Sequence, residues 1–170
     1  MQYKSTRNAA LRVTAAQAIA QGISDEGGLF VPETFPAADL NAMLPLDYVG
    51  RAEYVLARFL TDFTAEEIAQ CAARAYSPEK FENGSPAKVV SLDAHGENKH
   101  VLELWHGPTC AFKDMALQML PHLLTALLRK TGETRTACIL VATSGDTGKA
   151  ALDGFHDVEE IGRASCRERV

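Results

Sequence analysis

The run TACILVATSGDTGKAALDGF, residues 136–155, constrains the fold more than any other stretch of this chain. Its first part is a continuous apolar strand, the pattern of a strand buried in a parallel sheet. Small and hydroxyl residues, TSGDTG, come at once, and then a helix begins. Parallel strands are joined by long crossovers, usually helices, so this strand calls for helices packed on its sheet.

The preceding sequence supplies such parts. AKVVSLD and KHVLELW read as short strands flanking a polar turn at AHGEN. FKDMALQMLPHLLTALLRK reads as a long helix, apolar on too many sides for a surface element, with Pro121 kinking it. Strand, helix, strand, glycine loop and helix together predict an α/β layer architecture. Only two or three strands of the parallel sheet are accounted for, so the sheet is expected to be incomplete.

The first 80 residues have a different texture. Residues 1–13 alternate and suit an edge strand. Thr14 with Gln17 forms a capping-box pattern, and Gly22 supplies the stop. SDEGGLFVPETFP is turn-rich. DYVGRAEYVLARFL predicts a helix with Tyr54, Val55, Phe59 and Leu56 facing inward. Thr64 and Glu67 repeat the capping box, and Ser77-Pro78 ends that helix. The organisation expected is a mostly helical lobe over 1–80 and part of an α/β domain over 81–159.

Residues 160–170, EIGRASCRERV, have no apolar periodicity, and they match a common sequencing adapter read in frame. They are expected to be a non-native tail, an adapter read-through, which would make the chain a fragment.

Composition narrows the function classes. With 46% hydrophobic and 23% charged residues the chain is globular in type. A formal net charge of -5 argues against nucleic acid or an anionic membrane as partner. No apolar run approaches the length of a spanning helix, and the N-terminus lacks a signal h-region. Cys71, Cys110, Cys138 and Cys166 form no CxxC pair and no metal-ligand spacing. A reduced, cytoplasmic protein with no metal is expected.

Two places carry candidate chemistry. Lys113 comes after the Gly107-Pro108 turn, at the mouth of an apolar helix. In dry surroundings a lysine amine is neutral and nucleophilic, suited to a Schiff base with an aldehyde. The same residue also reads as an ordinary helix-start lysine whose stem reaches water. Asp114 beside it suits the helix dipole. The turn at residues 142–148 reads as an anion site, with backbone N–H groups at a helix start and hydroxyls from Ser144 and Thr147, or as a plain N-cap. It lacks both GxGxxG and GxxxxGK[ST] spacing. His106 reads as a structural histidine bonded to a loop carbonyl, and Ser144 has no G-x-S-x-G context. Arg7, in the Ser5-Thr6-Arg7 cluster, reads as a surface ion pair more readily than as an anion holder.

The separated pieces YKSTRN, SDEGGLFVPETFP, LELWHGPTCAFKD and VATSGDTGKAALDGF resemble the threonine synthase family. The resemblance runs from Tyr3 to about Phe155. Three positions depart from the family's usual pattern: Asn8 for glycine, Trp105 for phenylalanine and Cys110 for an aliphatic residue.

The resemblance implies the fold of a fold-type II pyridoxal-phosphate (PLP) enzyme, as in the tryptophan synthase β chain. A mostly helical N-terminal lobe would lead into a truncated parallel-sheet α/β domain. By the same resemblance, Lys113 looks like the Schiff-base lysine, and a dry pocket would keep its amine neutral. Thr143, Ser144, Gly145 and Thr147 look like the loop that binds the substrate carboxylate. Asp146 occupies the family position near the cofactor's 3'-oxygen. The activity implied is that of a PLP-dependent lyase converting O-phospho-L-homoserine and water to L-threonine and phosphate. The family's phosphate-cradling loop and its partner for the pyridine nitrogen come later than this chain extends, so the chain itself is expected to be inactive. The other readings are a related PLP-dependent β-eliminase, β-replacement enzyme or phospholyase, and a non-enzymatic binding or structural domain.

Overall fold

The structure is a computed structural model of the 170-residue chain. It describes residues 1–82, 85–93, 98–143, 145–158 and 161–166, the side chains of 163–166 excepted. The chain divides into two compact units, Met1–Ala73 with Ala126–Glu133, and Arg74–Thr125 with Thr134–Val170.

In the first unit, strand β1 (Tyr3–Ser5) pairs antiparallel with β2 (Phe30–Pro32), Lys4 opposite Val31. Between them runs α1 (Ala15–Gln21), closed by the reciprocal box of Thr14 and Gln17. Gly22, at φ 73°, ends it as expected. The N–H of Ala16 donates to Asp62 Oδ2 at 2.9 Å, fixing the helix start against a distant turn. Ser5 is buried, and its hydroxyl lies 2.9 Å from that of Ser24. Arg7 donates to the Glu26 backbone carbonyl at 3.1 Å.

Helices α2 (Leu40–Met43), α3 (Tyr48–Phe59) and α4 (Ala65–Ala75) come next. Thr64 and Glu67 exchange the two capping bonds expected of them. Glu67 also pairs with Lys130 at 3.0 Å. Leu60, Phe63, Ile68, Cys71, Ala72 and Leu127 are buried apolar residues of this unit. Val55 faces outward, contrary to the sequence expectation. The periodicity allowed it on the inner stripe, but Tyr54, Leu56 and Phe59 fill that side with larger surfaces.

In the second unit, β3 (Lys88–Ser91) and β4 (His100–Glu103) pair antiparallel, Lys88 opposite Glu103. The expected long helix is two: α5 (Asp114–Leu117), and α6 (Leu120–Thr131), which counts with this unit up to Thr125 and with the first unit from Ala126. Pro121 lies in the first turn of α6, where its missing N–H is not needed; this is a break rather than a kink. Strand β5 (Ala137–Ala142) leads to α7 (Asp146–Gly154).

Two features of β5 differ from expectation. It is exposed on alternate residues, with Leu140 at 73% of its full accessibility. An apolar run cannot by itself distinguish a strand covered on one face from one covered on both. Its partner is β6 (Ile161–Cys166), parallel, with Ala137 opposite Ile161. This segment belongs to the residues that were expected to be a non-native tail. Strand pairing is made by the backbone, so a segment without apolar alternation can still dock on an open edge. Among the described residues the parallel sheet consists of these two strands.

Gly154 lets α7 dock. A Cβ there would stand 2.1 Å from the Leu117 carbonyl oxygen. Phe81, Ala111, Met119, Leu123, Ala150 and Phe155 are buried apolar residues of this unit. Among the described residues no helix is long and apolar enough to cross a membrane.

His122, in the first turn of α6, has an Nε2 that is buried without a hydrogen-bond partner among the described residues. Burial, helped by the nearby charges of Lys80 and Arg74, lowers its pKa to about 4. The unfolded chain therefore binds a proton below about pH 6.5 that the folded chain refuses until about pH 4. We predict that stability falls as pH drops through this window and that His122→Gln flattens the slope there. Urea unfolding at several pH values is the check.

Candidate active site

The Lys113 turn is built by local hydrogen bonds. Beyond β4 the chain reverses through Gly107–Cys110, with the Cys110 N–H donating to the Gly107 carbonyl at 3.0 Å. Cys110 adopts φ 57°, the left-handed region that a non-glycine residue occupies at some strain. The Asp114 N–H then donates to Ala111 at 3.0 Å, and the Leu117 N–H donates to the Lys113 carbonyl at 2.9 Å.

Asp114 anchors this turn. It is 1% exposed. Its Oδ2 accepts the Thr109 N–H and its Oδ1 the Thr109 hydroxyl, both at 2.8 Å. A buried carboxylate is tolerable only with such partners. Gly107 lies flush on the same carboxylate, since a Cβ there would stand 2.5 Å from Oδ2. The acid beside Lys113 thus closes the turn that precedes it, beyond any interaction with the helix dipole.

Lys113 is the N-cap residue of α5 and is half-buried rather than sealed in a dry pocket. Its Nζ lies 4.8 Å from the centroid of the Phe112 ring, which is itself more than half exposed. Among the described residues no carboxylate pairs with its amine. Asp114 does not, because both of its oxygens face Thr109.

The second predicted site begins where β5 ends. Thr143, Gly145, Asp146 and Thr147 are exposed, and Ser144 lies outside the described residues. The Gly145 N–H donates to Thr143 Oγ1 at 3.3 Å. Gly145 caps α7 without a side-chain bond, and Asp146 is the acid of its first turn. Gly148 is required for close packing, since its Cβ would stand 2.2 Å from Thr143 Cγ2. First-turn amides of a helix are the usual donors to an anion.

Helix α7 connects the two places. Lys149 Nζ donates to the Thr109 carbonyl at 2.9 Å. Gln118 Nε2, on a buried residue, donates to Asp153 Oδ2 at 2.7 Å. One helix therefore starts at the 143–147 turn and grips the Lys113 turn at Thr109 and just past α5. Lys149 stands out in the sequence only as a false P-loop lysine, and Thr109 and Gln118 do not stand out at all. Their partners are 35–40 residues away in the chain. No local pattern encodes such pairings.

His106 is buried, and its partners are carboxylates rather than the loop carbonyl expected. Nε2 meets Glu103 at 2.7 Å and Nδ1 meets Glu82 at 3.3 Å. The hydrogen bond to Glu103, then that to Glu82, raises its pKa above the ordinary histidine value. The i,i+3 spacing of Glu103 and His106 was visible in the sequence. No group of His, Cys, Asp or Glu among the described residues has metal-binding geometry.

The threonine synthase N-terminus family model matches residues 2–76. A threonine synthase of Pseudomonas aeruginosa is 39% identical over 162 residues, 95% of this chain and 34% of the relative. That of Saccharomyces cerevisiae is 33% identical over 172 residues, 94% of this chain and 33% of the relative. The crystal structure of PLP-bound threonine synthase from Brucella melitensis superposes with a TM-score of 0.89 at 33% identity, over 99% of this chain and 36% of that one. The chain belongs to the threonine synthase family. It spans about a third of the length of the threonine synthases it matches, corresponding to their N-terminal portion.

Removing the anchor should release the turn. We predict that Asp114→Ala, which orphans a buried N–H and a buried O–H, lowers unfolding free energy by about 3 kcal/mol or more. Thr109→Val, which removes only the hydroxyl, should have roughly half that effect. Denaturant unfolding of the two variants and of their combination checks the coupling. If the bonds described are the source of the stability, the two losses are not additive.

Proposed function

We propose that this chain carries the Lys113 and substrate-carboxylate portions of a threonine synthase site, for the reaction of O-phospho-L-homoserine and water to L-threonine and phosphate. The observation that most supports this is the state of Lys113. Its amine lacks a carboxylate partner among the described residues, on a turn that Asp114 locks and Lys149 ties to α7.

The donor set fits pyridoxal phosphate: a primary amine on a fixed turn, and a helix start of small and hydroxyl residues reached from the same helix. When bound, the cofactor supplies an aldehyde that condenses with an amine and a ring that takes up electrons as a Cα proton leaves. In this reading Lys113 would hold the cofactor through its Nζ. Once substrate takes that place, the freed amine moves protons at substrate Cα and Cβ, so it must be neutral at each abstraction.

Thr143, Ser144, Gly145 and Thr147 orient the substrate carboxylate with hydroxyl and backbone donors. Gly148 lets the α7 backbone come close to Thr143, which sharpens that turn. Asp146 would meet the cofactor's 3'-oxygen. Membership of the family and the PLP-bound relative support these roles. This chain spans about a third of the relatives' length, and the chain alone is proposed to be inactive.

Two outcomes are expected. Incubation with pyridoxal phosphate, borohydride reduction and peptide mapping should put the label preferentially on Lys113, and Lys113→Ala should lose it. Even labelling across the lysines would refute the assignment. Phosphate release from O-phospho-L-homoserine by the purified chain should stay at background. Turnover at the ~10 s⁻¹ typical of an enzyme would overturn the inactivity.

A further inference from the structure

His106 is one of the residues that fasten the chain before the Lys113 turn to the unit around it. Its ring is buried, with Glu103 at the end of β4 on Nε2 and Glu82 on Nδ1. Its carbonyl accepts the Glu82 N–H at 3.0 Å, a second bond to the same residue. The Trp105 ring lies beside it, centroids 5.6 Å apart. The next residue, Gly107, lies on the Asp114 carboxylate, and Asp114 holds Thr109. From the imidazole to Lys113 the contacts are continuous: His106, Gly107, Asp114 and Thr109, then the lysine bonded in sequence to Asp114.

We propose that His106, held between Glu103 and Glu82, is a positioning residue for Lys113, and that loss of its proton loosens the Lys113 turn. A neutral imidazole has one N–H and can donate to only one of the two carboxylates. The other carboxylate is then left facing a ring lone pair, and one arm of the clamp opens. The functional meaning of this rests on the proposed role of Lys113, but the mechanical coupling does not.

The groups facing the ring are Glu103 from β4 and Glu82 from the segment beyond α4, while Asp114 lies beyond Gly107. Both facing carboxylates favour the charged ring, which agrees with the raised pKa. The clamp is therefore complete below the unfolded value of about 6.5 and is lost as pH rises through the higher folded value.

The test is a pH titration of the ¹⁵N-labelled 170-residue chain monitored by NMR. The amides of Lys113 and Asp114 should shift with the same midpoint as the His106 ring, above the ordinary histidine value. Glu82→Gln alters a side chain that is 75% exposed and so spares the interior. It should move the ring and amide midpoints to lower pH together. His106→Gln should remove the step from Lys113 and Asp114 altogether. A flat Lys113 amide, midpoints that separate in Glu82→Gln, or a step that persists in His106→Gln would overturn the proposal. If His106→Gln does not fold, Glu82→Gln decides. The borohydride experiment is scored separately: failure to label Lys113 with the midpoints still locked together refutes the cofactor role alone.

Discussion

The hold of Asp114 on Thr109 is the interaction on which the rest of the candidate site depends. An isolated carboxylate in the interior is strongly unfavourable, and this one is almost fully buried. Two charge-assisted bonds at 2.8 Å offset that penalty, each worth about 1.5–3 kcal/mol where the alternative is an unpaired buried charge. The requirement radiates outward. Residue 109 must carry a hydroxyl, residue 107 must carry no Cβ, and residue 110 is driven to a positive φ. It also decides the surroundings of Lys113: the nearest acid in the chain is fully engaged elsewhere.

Helix α7 makes that local lock part of something larger. Gly154 lets it approach the Leu117 carbonyl, Asp153 takes the amide of buried Gln118, and Lys149 takes the Thr109 carbonyl. Contacts near its start and near its end thus bear on the same short stretch of chain. The turn at 143–147 is carried by this helix, so the position of its N-terminal amides is set by the same contacts that set Lys113. A single rigid element serving two loops is the arrangement expected where two groups must act on one small molecule.

Local chemistry was the legible part of the sequence. Both capping boxes, the Gly22 stop and the paired strands β3 and β4 arise from interactions within a few residues, and they are present; the polar turn at AHGEN lies mostly outside the described residues. What was not legible depends on distant partners. The outward turn of Val55 reflects which larger neighbours fill the inner stripe. The half-covered state of β5 depends on what packs on its second face. The pairing of β6 is a backbone event that side-chain periodicity does not report. The roles of Lys149 and Gln118 required knowing which residues α7 meets. For the site, Lys113 and the 143–147 turn stood out by position and resemblance, while the parts that hold them did not.

The two histidines of the second unit show how far environment overrides residue type. His106 and His122 begin from the same intrinsic pKa and are shifted in opposite directions. Carboxylates on both nitrogens favour the charged form of His106. Burial with two cations nearby keeps His122 neutral. By linkage, acidification below about pH 6.5 penalises the fold through His122, and the stabilisation from His106 is lost as pH rises from about 6.5 through its raised folded value. In the proposed clamp it is the charged form of His106 that reaches both Glu103 and Glu82.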